Sequence, residues 1–150
     1  MEAAPKRHTI LVVDDNPDLR KLMSLGLPDL GDFEVITAED GIEGLTQCAE
    51  LQPSCMVIDV MMPLLDGYQL VRAIRGDPQT AHIPLIILTA KVQEKDQYIG
   101  LASGADQYLC KPVLPSELSR AIAKAITIGE AERNRKQLAL VEEPFEDNQR

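Results

Sequence analysis

The stretch Thr9-Ile10-Leu11-Val12-Val13-Asp14-Asp15-Asn16-Pro17 decides how this chain is read. Its first five residues are β-branched or aliphatic without a break. A strand with water on one face alternates polar and apolar residues. An unbroken apolar run marks a strand covered on both faces, as in a parallel sheet. Two acids follow at once. Asn16 then offers a side-chain cap, and Pro17 fits a first helical turn, where no backbone N–H is needed. A buried strand therefore passes through two carboxylates straight into a helix.

The same alternation recurs along the chain. Phe33 to Ala38 is a second strand-like run, Cys55-Met56-Val57-Ile58 a third, Leu85-Ile86-Ile87-Leu88 a fourth and Gln107-Tyr108-Leu109 a short fifth. Runs one, three and four are continuously apolar. Between them lie stripes at helical spacing. Leu19, Leu22, Met23, Gly26 and Leu27 form the first, and Ile42, Leu45 and Ala49 the second. Leu70, Val71 and Ile74 form the third, ended near Gly76 and Pro78. Val92, Ile99 and Ala102 form a thin fourth, ended at Gly104. Leu118, Ile122, Ala125 and Ile126 form the fifth, which begins at Pro115 and has Gly129 as its candidate cap. The pattern is (βα)₅, an α/β fold. Right-handed crossovers make it doubly wound, with helices on both faces of one five-stranded parallel sheet. The flavodoxin-like strand order 2-1-3-4-5 is the natural candidate, although periodicity leaves the order open.

Composition bounds the rest. A chain of 150 residues suits one domain with a real core. Aromatic residues make up only 3%, so that core must be aliphatic. The net charge of −9 repels phosphate backbones, which argues against direct contact with nucleic acid and favours metal cations and basic protein surfaces. Three cysteines, Cys48, Cys55 and Cys110, lack metal-ligand spacing and read as reduced structural thiols, with Cys55 and Cys110 expected in the core. Met1 to His8 carries no apolar leader, and no run has the length of a membrane span. The expected location is cytoplasmic, with no membrane partner. His8 and His82 are far apart in sequence, and nothing suggests that they meet.

Open α/β sheets place their sites beyond the carboxyl ends of the strands. Run one ends in Asp14-Asp15, run three in Asp59 and run four in Thr89, and run five is followed by Lys111-Pro112. Singly, each has an ordinary reading: an Asp pair opens a helix, a lysine is solvated. In a parallel sheet all of them share one edge. Three converging carboxylates resist ionisation unless a cation relieves them, and hard oxygen ligands suit Mg²⁺. Lys111 adds a fixed positive charge and Thr89 a hydroxyl. A carboxylate nucleophile, a metal, a lysine and a hydroxyl donor are sufficient parts for in-line phosphoryl transfer.

Together these residues resemble the response regulator receiver family, and the single-domain chemotaxis type in particular. The separations between Asp15, Asp59, Thr89 and Lys111 are typical of it. Local text agrees: Val13-Asp14-Asp15-Asn16, Asp59-Val60-Met61-Met62-Pro63-Leu64-Leu65-Asp66-Gly67, Leu88-Thr89-Ala90 and Lys111-Pro112. The resemblance covers about residues 8 to 128. It divides the chain into an N-terminal extension (1–8), a receiver domain (9–128) and residues 129–150, a helical extension or a flexible tail. Glu132 and Lys136 are spaced to support a helix there, Leu138, Leu140 and Val141 form a small apolar group, and Glu142 to Arg150 reads as disordered. This tail is too short for a helix-turn-helix or catalytic output domain.

The resemblance implies specific roles. Asp59 is the phosphoacceptor. Asp14, Asp15, Asp59 and the Met61 carbonyl hold Mg²⁺. Thr89 and Lys111 contact the phosphoryl oxygens, Ala90 leaves room for them, and the Lys111-Pro112 bond is cis. Thr89 and Tyr108 form the switch: Thr89 moves toward the phosphoryl group, and Tyr108 turns inward behind it. Met61 and Lys91 border the phosphoryl group, and their character implies slow self-dephosphorylation. The donor is a phosphohistidine on a sensor histidine kinase or phosphotransfer protein. Output goes to a downstream protein target through the surface of the fourth helix, fifth strand and fifth helix, which also admits a homodimer. Such a protein catalyses its own phosphorylation and is not a multiple-turnover enzyme. A haloacid dehalogenase-like Mg²⁺-dependent phosphatase shares the residue types, but it carries its two acids as Asp-x-Asp on one strand. Here Asp14 and Asp15 are adjacent, and Asp59 stands far off.

Overall fold

A computed structural model describes residues 7–91 and 93–142, with the side chains of 136, 137 and 139–142 excepted. The strands are β1 (His8–Val13), β2 (Phe33–Ala38), β3 (Cys55–Ile58), β4 (Leu85–Thr89) and β5 (Gln107–Cys110). The helices are α1 (Pro17–Gly26), the short α2 (Pro28–Gly31), α3 (Gly41–Leu51), α4 (Gly67–Gly76), α5 (Glu94–Ser103) and α6 (Pro115–Glu142). The strands pair in parallel in the order β2-β1-β3-β4-β5, as the flavodoxin-like reading expects.

Alternation along each strand divides the core in two. Ile10, Val12, Val57, Ile86 and Leu88 point to one face and pack with Met23 of α1, Leu27 just past its end, and Leu118 and Ile122 of α6. Leu11, Val13, Met56, Ile58 and Ile87 point to the other and pack with Cys48 of α3 and Leu70, Val71 and Ile74 of α4. Central strands buried on both faces need the unbroken apolar runs that the sequence carries.

Local signals set the helix starts. The Asn16 side chain accepts hydrogen bonds from the Asp18 and Leu19 amides at 2.9 and 3.4 Å, with Pro17 in the first turn. Asp40 caps α3 through the Glu43 amide. Asp66 and Gln69 form a reciprocal capping box on α4.

Several expectations from periodicity fail. Leu22 of α1 is exposed, while Met23 and Leu27 carry the contact with the core. The stripe Ile42, Leu45, Ala49 does not face the core of α3; Ile42 is 54% exposed. Gly41, Gly44 and Cys48 are buried instead. The reason is close approach: a Cβ on Gly44 would lie 2.9 Å from both methyl carbons of Val13. In α5, Ile99 and Ala102 face solvent and only Gly100 is buried; Val92 lies outside the described residues. Between α1 and β2 the chain forms a further short helical turn, Pro28–Gly31, to which the sequence reading gave no element. β1 begins at His8, which pairs with Phe33. Gly129 does not end the last helix, and α6 runs unbroken through it to Glu142. A single glycine costs a helix only about 1 kcal/mol against alanine. Here a Cβ at Gly129 would also crowd the Pro84 ring at 3.2 Å. The expected disorder of Glu142 to Arg150 falls, apart from helical Glu142, outside the described residues.

Candidate functional site

Register brings the site together. Val13 pairs with Ile58, and Ile58 with Ile87, so the residues that follow emerge side by side. The Asp59 amide donates to the Val13 carbonyl at 3.0 Å, which sets Asp59 beside Asp14. Thr89 pairs with Cys110, and the Lys111 amide donates to the Thr89 carbonyl at 2.8 Å. Lys111 therefore leaves the sheet at the same rim. The Lys111-Pro112 bond is cis, as expected.

The side chains then converge. The Lys111 ammonium donates to Asp14 Oδ2 at 2.9 Å and to Asp59 Oδ2 at 3.2 Å. Asp14 is 2% exposed and Asp59 6%. One carboxylate oxygen from each of Asp14, Asp15 and Asp59 lies within 4.8 Å of the others. Asp15 is exposed and completes the trio from the solvent side. No other set of acidic, histidine or cysteine ligands gathers this closely among the described residues.

Backbone groups fix the acids. The Asn16 amide donates to Asp14 Oδ1 at 2.9 Å, and the Met61 amide to Asp59 Oδ1 at 3.2 Å. Burial raises the Asp14 pKa, while the Asn16 hydrogen bond and Lys111 pull it part of the way back. Burial also works against the Lys111 charge, but Asp14 and Asp59 outweigh it and the lysine pKa rises. An all-oxygen donor set around a carboxylate-rich cleft fits a hard divalent cation. Asp14, Asp15 and Asp59 could hold one. The Met61 carbonyl takes no hydrogen bond among the described residues, which suits its expected part.

The remaining residues take their places around this centre. Thr89 is fully buried, and its hydroxyl accepts from the Lys91 amide at 3.5 Å; among the described residues it makes no hydrogen bond to Asp59. Ala90 is exposed just past β4. Met61 and Lys91 share an open cleft of about 450 Å³ with Asp15, Asp66 and Tyr68. Tyr108 is half-buried, and its hydroxyl donates to the Lys91 carbonyl at 2.8 Å.

Sequence reasoning missed some of this. The Arg20 guanidinium donates to the Asp14 carbonyl at 2.8 Å, and the spacing of Arg20 one turn beyond the Asn16 cap is the signal that could have found it. Tyr68 on the cleft had no signal. His8 and His82, expected apart, line one groove of about 170 Å³ at the opposite end of the sheet, together with Arg133. Cys48 and Cys55 are buried, and burial pushes the Cys48 thiol up to about 11; Cys110, expected in the core, is only half-buried because β5 is an edge strand. No helix among the described residues is long and apolar enough to cross a membrane.

A family model described as the response regulator receiver domain matches residues 10–123. The chain belongs to that family. Receiver domains of this kind are the response regulator part of two-component systems. This one is 41% identical over 103 residues to the DNA-binding dual master transcriptional regulator RpaA of Synechocystis, covering 69% of this chain and 42% of that protein. It is 39% identical over 112 residues to the DNA-binding response regulator MtrA of Mycolicibacterium smegmatis, covering 75% and 47%. The receiver chain thus spans about half the length of the curated relatives it matches. Among solved structures, it resembles chemotaxis protein CheY4 of Vibrio cholerae, with a TM-score of 0.75, 32% identity and coverage of 80% of this chain and 99% of that one. It also resembles the receiver domain of sensor histidine kinase PA1611 from Pseudomonas aeruginosa, with a TM-score of 0.74, 30% identity and coverage of 81% and 99%. That receiver is described with a magnesium ion coordinated in its active-site cleft.

Proposed function

We propose that Asp59 accepts a phosphoryl group from a phosphohistidine on a sensor histidine kinase or phosphotransfer protein. The observation that carries this reading is the reach of one ammonium, Lys111, to both Asp14 and Asp59 at the rim where Asp15 also arrives. Asp59 is the acid of the trio best suited to attack. It follows a central strand, and its Oδ1 is steadied by the Met61 amide. Lys111 holds the carboxylate in place and offers positive charge to the phosphoryl oxygens as they arrive. Thr89 supplies a hydroxyl at the end of the neighbouring strand. Asp14, Asp15, Asp59 and the Met61 carbonyl would hold Mg²⁺, which when bound neutralises charge between acceptor and phosphoryl oxygens.

Output runs through the face of α5, β5 and α6. A phosphoryl group adds charge and acceptor oxygens beside β4. Thr89 answers it, and Tyr108, whose hydroxyl already reaches the Lys91 carbonyl, keeps the segment after β4 in register with β5. That face engages a downstream protein or a second copy of the chain. The relatives' DNA binding is theirs; the charge of −9 on this chain disfavours its own contact with nucleic acid. Transfer is self-catalysed, on and off the aspartate, without multiple turnover. The protein acts in the cytoplasm.

Incubation with acetyl phosphate and Mg²⁺, read by intact mass, tests the assignment. A phosphate-sized gain in wild type that Asp59→Ala lacks is the expected result. An equal gain in both, or none in wild type, overturns it.

A further inference from the structure

Helix α5 has little to hold it down. Gly100 is its one buried residue, and its cap Gln93 makes no side-chain hydrogen bond. Tyr98, Ile99 and Leu101 face solvent. Few buried apolar contacts mark a segment that opens at low cost.

Two phenols from other elements secure it. The Tyr108 ring of β5 lies so close to Gly100 that a Cβ there would come within 2.6 Å of it, and the Tyr108 hydroxyl bonds the Lys91 carbonyl. Tyr68, near the start of α4, donates its hydroxyl to the Asp96 carbonyl in the first turn of α5 at 3.2 Å. Lys91 and Asp96 are thus each held by a tyrosine from another element, Tyr108 of β5 and Tyr68 of α4. The phenols are close enough that Tyr68 adds to the burial that raises the Tyr108 pKa.

Tyr68 also leads back to the phosphoacceptor. It follows Gly67, and a Cβ on Gly67 would lie 2.5 Å from the Asp59 carbonyl oxygen and 2.7 Å from the Val60 Cα. The Gly67 amide donates to the Val60 carbonyl at 3.0 Å. The Tyr68 backbone is therefore packed one residue away from the backbone of Asp59 itself.

We propose that Tyr68 is a positioning residue that carries a shift at Asp59 to the first turn of α5, through the Gly67 contact and the hydrogen bond to Asp96. The inference rests on Asp59 as the phosphoacceptor. It makes Tyr68 a second link between site and output face, separate from Thr89 and Tyr108. Its hydroxyl is the transmitting group, and its ring is the packing group, so Tyr68→Phe removes the first and keeps the second.

Amide hydrogen exchange of the full chain, with and without Mg²⁺ and beryllofluoride, tests this. In wild type, beryllofluoride should alter exchange both in 60–66, next to Asp59, and in 94–103 of α5. Without beryllofluoride, Tyr68→Phe should exchange about fivefold faster in 94–103, the effect of one lost hydrogen bond. With it, the response in 60–66 should persist while that in 94–103 shrinks. Tyr98→Phe, an exposed tyrosine on α5 itself, serves as control and should match wild type. Faster exchange with an undiminished beryllofluoride response in 94–103 would mean that Tyr68 is merely structural, and would overturn the proposal. So would unchanged exchange in Tyr68→Phe, or a wild-type response confined to 60–66. If wild type responds in neither segment and gains no mass with acetyl phosphate, the phosphoacceptor reading is what fails.

Discussion

Lys111 and Asp59, 52 positions apart in the chain, meet with 3.2 Å between ammonium and carboxylate. The same ammonium touches Asp14 at 2.9 Å. One lysine therefore bridges two buried acids, and its removal strands both. Breaking a buried pair by deleting one partner costs about 3–5 kcal/mol, less where the lysine keeps some solvent as it does here. Lys111→Ala should lower the unfolding free energy by about 2 kcal/mol in EDTA, with Mg²⁺ recovering part of the loss. Urea titrations with and without Mg²⁺ measure this; wild-type stability in EDTA would show that the three groups are not one electrostatic unit. The Lys111 contribution is present at neutral pH and fades only above the ordinary lysine range, because its folded pKa is raised.

Asp14 has the opposite sense. Burial raises its pKa, so between the ordinary carboxylate range and that raised value the folded state binds more protons than the unfolded. Stability then falls as pH rises through that window. Asp14→Asn removes the penalty. Its melting temperature in EDTA at pH 7 should exceed wild type by about 3 °C, and the gap should close below the ordinary carboxylate range. A variant that melts lower than wild type at pH 7 would contradict this sign.

Asp15 is exposed, so its charge costs the fold little. Asp15→Asn should melt with wild type in EDTA. It should lose most of the upward shift that Mg²⁺ gives wild type, which reaches about 2.7 kcal/mol when the ion is a hundredfold above its dissociation constant. Thermal melts across a Mg²⁺ series decide it; an undiminished shift would place the cation elsewhere.

Gly44 and Val13 are in direct contact across α3 and β1. Gly44→Ala should destabilise by about 2 kcal/mol, since an added methyl must displace packed side chains. The second substitution Val13→Ala should cost less in the Gly44→Ala background than alone. A double-mutant cycle with no coupling would refute the close-approach account.

Met61 and Lys91 border the cleft beside Asp15. Neither Met61 nor the lysine can orient a water for attack on an acyl phosphate as an amide and a carboxylate would. Met61→Asn with Lys91→Glu should therefore speed phosphoryl loss about tenfold, below the roughly hundredfold that a fully positioned proton acceptor contributes, since the two new side chains only orient the water. The decay of labelled protein gives the rate, and an unchanged half-life would sink the idea.

Much of the site was readable because its residues end strands. Asp14, Asp59 and Lys111 each follow an apolar run, and a parallel sheet aligns such ends without further information. Thr89 was found the same way, though its hydroxyl turns toward the Lys91 amide. Arg20 and Tyr68 were not read, since each acts through a backbone carbonyl, Asp14 for one and Asp96 for the other. Backbone partners leave no mark in residue type.

Unbroken apolar runs, the Asn16-Pro17 start and the acids that close the strands are local features, and they settled strand identity, helix starts and the edge where chemistry collects. Which side of a helix turns inward was a separate matter. On α3 the apolar stripe of Ile42 and Leu45 lost to Gly41, Gly44 and Cys48, because Leu65 at Gly41 and Val13 of β1 at Gly44 approach too closely for a larger side chain. On α5, grip comes from Tyr68 and Tyr108, which belong to other elements. Local signals act over a few bonds and can be read along the chain. Clearances between packed elements depend on distances that exist only once distant segments have come together.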